Sequence, residues 1–169
     1  MAHPFDNFST QLWEASAHAA RFLVSEYQSA DRHVLLRASL SLGLAAEQLM
    51  MACVAEMDTA LLASKTSAPT MVALSKANKT GVLDPHTVKT ITRREALLIL
   101  RHVDPKFGVA SDLDFVMDTR NAAAHIAMVD SADLAEAVLK LVHVVGALHA
   151  YLPTKEEDDY WGRDCCTNR

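Results

Sequence analysis

The chain has 169 residues, half of them hydrophobic and 22% charged, with a net charge of −5. That length and apolar content suit one domain with a real core, and the acidic balance excludes an overall basic protein, so any nucleic-acid surface has to be local. Five Gly and five Pro, against long stretches dominated by Ala, Leu, Met, Glu and Lys, favour helix over sheet and an all-α class.

Phe5, Phe8, Leu12, Ala15, Ala19, Phe22, Leu23 and Tyr27 recur at helical spacing and predict a first helix over about residues 5–29. Asp31 opens a second, long helix over about 32–64, with Leu36, Leu40, Leu44, Met51, Val54 and Leu61 among its apolar positions and Gly43 as the point where it would bend or break. The Ser-Ala-Pro stretch at 67–69 punctuates, and a short helix through Met71, Val72 and Leu74 follows before Thr80-Gly81 stops it. Asp84-Pro85 reads as an N-cap followed by a first-turn proline, within an irregular section spanning about 66–92. Thr92-Arg93-Arg94-Glu95 has the form of a capping box ahead of Ala96–Leu100, and Asp104-Pro105 ends that helix. Ser111-Asp112-Leu113-Asp114 starts the next in the same manner, over about 112–127. After Asp130-Ser131 comes a last helix, about 132–152, with Leu134, Val138, Leu141, Val145, Leu148 and Leu152 as its core stripe.

These elements assemble into an antiparallel helical bundle of about five to six helices, one domain over residues 1–152. Residues 153–169 start with Pro153 and carry Lys-Glu-Glu-Asp-Asp without an apolar period, which predicts a flexible or partner-docked acidic tail, with Trp161 as the dissenting residue. Three cysteines make no disulfide framework, the N-terminus lacks a basic flank and apolar run, and no segment reaches about 20 apolar residues, so a reducing cytoplasm and no membrane are expected.

Charge is unevenly spread. Residues 76–106 carry Lys76, Lys79, Lys89, Arg93, Arg94, Arg101 and Lys106 against Asp84, Glu95 and Asp104, a local +4 that leaves −9 elsewhere. Lys89, Arg93, Arg94 and Arg101 are therefore candidate phosphate-facing residues, although a solvated helix face with ordinary charge scatter reads the same way.

The chemistry concentrates on the helix at about 112–127. At about 100° per residue, Asp118, Asn121 and His125 fall within an arc of about 60°, whereas Arg120 lies about 140° from His125. Spacing alone does not pair Arg with His, but Met117 and Ala124 fill the arc between them, and the small side chains of Ala122, Ala123 and Ala124 leave room for another backbone or a ligand. On residue chemistry alone, Arg120 also reads as a surface arginine paired with Asp118 or Glu136, and His125 as a histidine facing a helix dipole. Glu47, in an apolar stretch, reads first as a structural hydrogen-bond partner. The remaining histidines show no metal-ligand spacing, so no metal and no cofactor are expected.

Asp118-Thr119-Arg120-Asn121-Ala122-Ala123-Ala124-His125, on the penultimate helix of an all-α domain, resembles the Arg-x4–6-His motif of HEPN domains in the form with Asn after Arg. Leu44-Ala45-Ala46-Glu47-Gln48-Leu49-Met50-Met51 resembles the long early helix of that superfamily, where a Lys often stands at the position of Met51. A second departure is Ala127, where toxins paired with nucleotidyltransferase antitoxins often carry a Tyr. The resemblance implies a metal-independent endoribonuclease, a toxin or defence effector with RNA as substrate. It implies Arg120 and His125 as catalytic residues, with Asn121, Asp118 and Glu47 supporting them. A homodimer with a composite groove and an antitoxin or other regulatory protein as partner belong to the same expectation, and the other functional class is a non-catalytic nucleotide- or protein-binding module.

Overall fold

The computed structural model describes residues 7–64, 67–80 and 89–162. Within them the chain is all-α, seven helices and one 3-10 turn forming a helical bundle. The predicted Asp84-Pro85 helix start, Phe5, Lys79 and the last seven residues lie outside the residues or side chains described.

α1 (Phe8–Glu26) starts where the Asn7 side chain accepts the Ser9 N–H at 3.0 Å, and α2 (Arg32–Met57) where Asp31 accepts that of His33 at 2.7 Å. Each cap satisfies a backbone donor that the first turn leaves unpaired. α2 does not break at Gly43, and it ends earlier than expected. Asp58 stops it with an extended backbone and then caps the 3-10 turn Thr59–Leu62 through the Ala60 N–H. α3 (Ala68–Thr80) has Pro69 in its first turn, where the missing N–H costs nothing. Between the turn and α4, Ser64 N–H donates to the Lys89 carbonyl and Ile91 N–H to that of Leu62, both at 2.8 Å, around an isolated Ala63–Thr90 bridge.

α4 (Arg93–Val103) carries the predicted capping box, Thr92 and Glu95 exchanging both bonds, and stops at Asp104. α5 (Ala110–Ile126) starts differently from the expectation. Val109 stands at the cap position without a side-chain bond, and Ser111 lies inside the first turn. Burial of Val109 and Leu113 sets this end by packing instead. α6 (Ser131–His149) opens on Asp130, which accepts from Ala132 and Asp133.

α2 is the hub, packed by α1, α4, α5 and α6. That explains its composition. Leu42, Ala45, Ala46, Met50, Ala52, Cys53 and Val54 are fully buried around most of its circumference, so it lacks the single apolar face of a surface helix. This helix is long and apolar enough to span a membrane by length and composition, and 72% of its most apolar stretch is buried inside the bundle. Its apolar positions are used against neighbouring helices of the bundle.

The acidic end also departs from expectation. Residues 157–161 form α7 (Glu157–Trp161), docked on α1, with Tyr160 fully buried. The Tyr160 and Ser16 hydroxyls lie 2.6 Å apart, Ser16 donates to the Ala45 carbonyl at 2.7 Å, and Arg21 donates to the carbonyls of Asp159 and Tyr160. Two aromatic residues without a period suffice to anchor the segment. Tyr160 makes edge contacts with Trp13 and Trp161.

Candidate functional site

α5 packs against both α2 and α6 with Leu113, Val116, Met117 and Ala123 buried, which fixes the rotation of the helix and hence the direction of every polar residue on it. Its neighbour α2 is antiparallel to it: Arg32 reaches Ala127, whereas Gly43 lies against Arg120. Thus the C-terminal half of α5, with the Arg-Asn-x3-His segment, lies along the N-terminal half of α2.

Arg120 occupies a notch in α2. A methyl group at Gly43 would stand 2.8 Å from its Cβ, 3.0 Å from its Cδ and closer still to Cγ, so the arginine stem crosses α2 at the one position that lacks a side chain. From this seat the guanidinium turns sideways, Nη1 donating to Oδ1 of Asn121 at 3.1 Å. Asn121 lies between Arg120 and His125 around the helix, about 100° from the first and 40° from the second. The fork is therefore swung from the buried side of α5 toward the face that carries His125. Arg120 and Asn121 are half-buried, and His125 is exposed.

The end of α5 is shaped beyond His125. Ala127 adopts a left-handed backbone, φ 50°, and its N–H and that of Met128 both point to the Ala122 carbonyl. A left-handed alanine is strained by about 1–2 kcal/mol relative to the right-handed form. Arg32 holds this turn from α2 by donating to the Ala127 carbonyl at 3.1 Å.

The supporting residues are placed as follows. Asp118 is exposed, one turn before Asn121 on the same face. Glu47 is half-buried on α2, one turn after Gly43. Among the described residues neither carboxylate forms an ion pair or hydrogen bond with Arg120 or His125. Nor does Glu136, which pairs with Lys140 at 3.5 Å. The bland reading of Arg120 as half of a surface ion pair thus has no partner here, and Asn121 is the group that orients it.

The basic α4 set stands apart. Arg94, Arg101 and Lys89 are exposed, and Arg93 pairs with Asp114 at 3.7 Å, eleven residues and therefore about 16 Å along the axis from His125. Basic residues that sequence reasoning did not single out lie nearer: Arg32, His33 and Arg37, exposed on the first turns of α2. No local pattern marks them, because their proximity depends on the antiparallel pairing of α2 with α5. Among the described residues no group of three His, Cys, Asp or Glu side chains comes together as a metal site.

What these residues can do follows from their chemistry. An arginine fork bonded to a side-chain amide, with an exposed imidazole one turn further along the same helix, supplies a group that can grip phosphoryl oxygens and a group that can exchange a proton. No protein-family model, curated protein or solved structure matches the chain.

Proposed function

We propose that this protein is a HEPN-type, metal-independent endoribonuclease acting through Arg120 and His125. The observation that carries the reading is the Arg120–Asn121 bond, which turns the guanidinium out of its notch on Gly43 toward the face of His125. RNA brings its own nucleophile, the 2′-hydroxyl, so the protein has to move protons and stabilise a crowded, negatively charged phosphorus. His125 exchanges the protons. Arg120 meets the growing phosphoryl charge with a planar two-pronged fork, and Asn121 keeps that fork aimed. The products are a 2′,3′-cyclic phosphate and a 5′-hydroxyl.

Within one subunit the imidazole of His125 has no hydrogen-bond partner among the described residues, and it stands about 140° around the helix from Arg120. A two-fold mate laid against this part of α5 closes the gap, placing two Arg and two His in one composite groove. Ile126 and Met128, both 62% exposed beside the motif, supply apolar surface for such a mate. A nuclease of this kind works in the cytoplasm as a toxin or defence effector and is restrained by an antitoxin or another regulatory protein.

The test is incubation of the purified protein with labelled RNA in EDTA beside Arg120→Ala and His125→Ala, with light scattering on the same samples. Cleavage to cyclic-phosphate ends is expected from a dimer, with losses on the order of 10²–10⁴-fold in each variant. Equal cleavage by wild type and variants, or none by any, defeats the nuclease reading. RNA binding by wild type without cleavage selects the non-catalytic binding module, cleavage that needs a metal removes the mechanism, and a monomer at micromolar concentration removes the composite groove.

A further inference from the structure

The exposed strip of α2 beside the motif carries basic side chains followed by leucines. At about 100° per residue, His33, Arg37, Leu40 and Leu44 lie within an arc of about 60°, centred roughly 90° around α2 from Gly43. All four are exposed, the leucines at 39% and 47%. Because α2 and α5 are antiparallel and α6 covers the same flank of both, this strip and the face of Asn121 and His125 open on the same side of the pair. Arg32 stands where they meet, bonded to the Ala127 carbonyl two residues beyond His125. Arg37 forms no ion pair or hydrogen bond among the described residues, and the nearest carboxylate in sequence, Asp31, is engaged in capping α2.

From this arrangement we infer that the first four turns of α2 are the binding track for the RNA strand that flanks the scissile phosphate, with Arg32, His33 and Arg37 on phosphates and Leu40 and Leu44 under bases. The inference rests on the nuclease reading for the identity of its ligand. Charge complementarity points to a polyanion, and the leucines that continue the strip beyond the basic residues point to a single strand. A duplex hides its base faces and offers mainly phosphate, whereas an unpaired strand presents apolar base surface beside each phosphate. The exposed α4 cations Arg94 and Arg101 then lie off the track, although their segment is the most basic in the sequence.

The experiment is equilibrium binding of a fluorescent single-stranded RNA to His125→Ala protein, which keeps the strand intact. To this background are added Arg37→Ala, Arg32→Ala with Arg37→Ala, or Arg94→Ala with Arg101→Ala. The α2 pair is expected to weaken binding about tenfold or more and to flatten the dependence of log K on log salt by about 1.4, two phosphate contacts on a single strand. Arg37→Ala alone should give about half of that change in slope, and it disturbs no bond of the fold. The α4 pair should stay within about twofold of the background. Unchanged affinity and slope in Arg37→Ala and in the α2 pair overturn the track, and leave the nuclease reading intact if wild-type protein cleaves RNA. Weakened binding by the α2 variants together with no cleavage by wild type keeps the track and removes the nuclease. A changed oligomeric state in Arg37→Ala with RNA affinity unaltered assigns the strip to a second copy of the chain and overturns the inference.

Discussion

Glycine at position 43 is a poor choice for the middle of a 26-residue helix by propensity, costing about 1 kcal/mol against alanine. The contact with Arg120 explains it. Rotation of the arginine side chain would relieve a clash with Cγ or Cδ, but Cβ, at 2.8 Å from an added methyl, moves only with α5 itself. Gly43→Ala is therefore expected to destabilise the protein, by about 1–3 kcal/mol as overpacking does, although the helix former improves. Thermal denaturation reads the sign directly. The Nε–Hε resonance of Arg120 in an NMR spectrum should move as the guanidinium leaves Asn121. A variant more stable than wild type with that resonance in place would show that the notch is no constraint. The sequence flags Gly43 only as a weak point in a helix, because the residue that needs the space is 77 positions away.

Between elements, the join of α5 to α6 has an electrostatic clamp. Asp112 accepts from His143 Nδ1 at 2.6 Å and from Lys140 Nζ at 3.2 Å, and Lys140 also sits over the Phe115 ring. The bond from His143, ahead of that from Lys140, holds the Asp112 carboxyl below its ordinary range, while the bond to Asp112 raises the Lys140 ammonium. A lowered carboxylate stabilises the fold above its unfolded value, about 3.9, and that contribution is lost as pH falls through the lower folded value. The raised ammonium acts in the opposite direction, its contribution present below about pH 10 and lost as pH rises through the higher folded value. Asp112→Asn should accordingly be less stable than wild type at pH 7, with the gap closing as pH falls toward 3. Urea denaturation at several pH values tests this, and a gap constant down to pH 3 would contradict it. None of this clamp is visible locally, since Asp112 and His143 are 31 positions apart. The capping box at Thr92-Glu95 and the Asp130 cap are legible because each is a few residues long. The start of α5 is not legible for the complementary reason: Ser111 and Asp114 have cap chemistry, but tertiary burial of Val109 and Leu113 sets the end of the helix.

At the scale of the whole molecule, the C-terminal segment decides how α1 is held on the hub. Lys155 donates to Thr10 and lies over the Trp13 ring, Arg21 grips two α7 carbonyls, and Tyr160 fills the space beneath with its hydroxyl on Ser16. Burial pushes the Tyr160 phenol well above its ordinary range, so it stays neutral and shares its proton with Ser16 across the physiological range. The helical class and the bundle were readable from apolar periods, whereas this docking was not, since five charged residues precede one aromatic pair and only the groove gives that pair a meaning. Ser16 bonds the carbonyl of Ala45, two residues and so about 200° around α2 from Gly43, which puts the strap on the side of the hub away from the Arg120 notch. Stability and site should therefore separate. Tyr160→Ala, which empties a fully buried aromatic position, is expected to cost about 3–5 kcal/mol, and Tyr160→Phe about 1 kcal/mol, since Ser16 keeps its bond to Ala45. Both variants, assayed for RNA cleavage at a temperature where they remain folded, should match wild type within about twofold, a change of under 0.5 kcal/mol in the barrier. A loss of cleavage in folded Tyr160→Phe as large as that of His125→Ala would mean that the strap reaches the site through α2, and the two faces of the hub would have to be treated as one coupled unit.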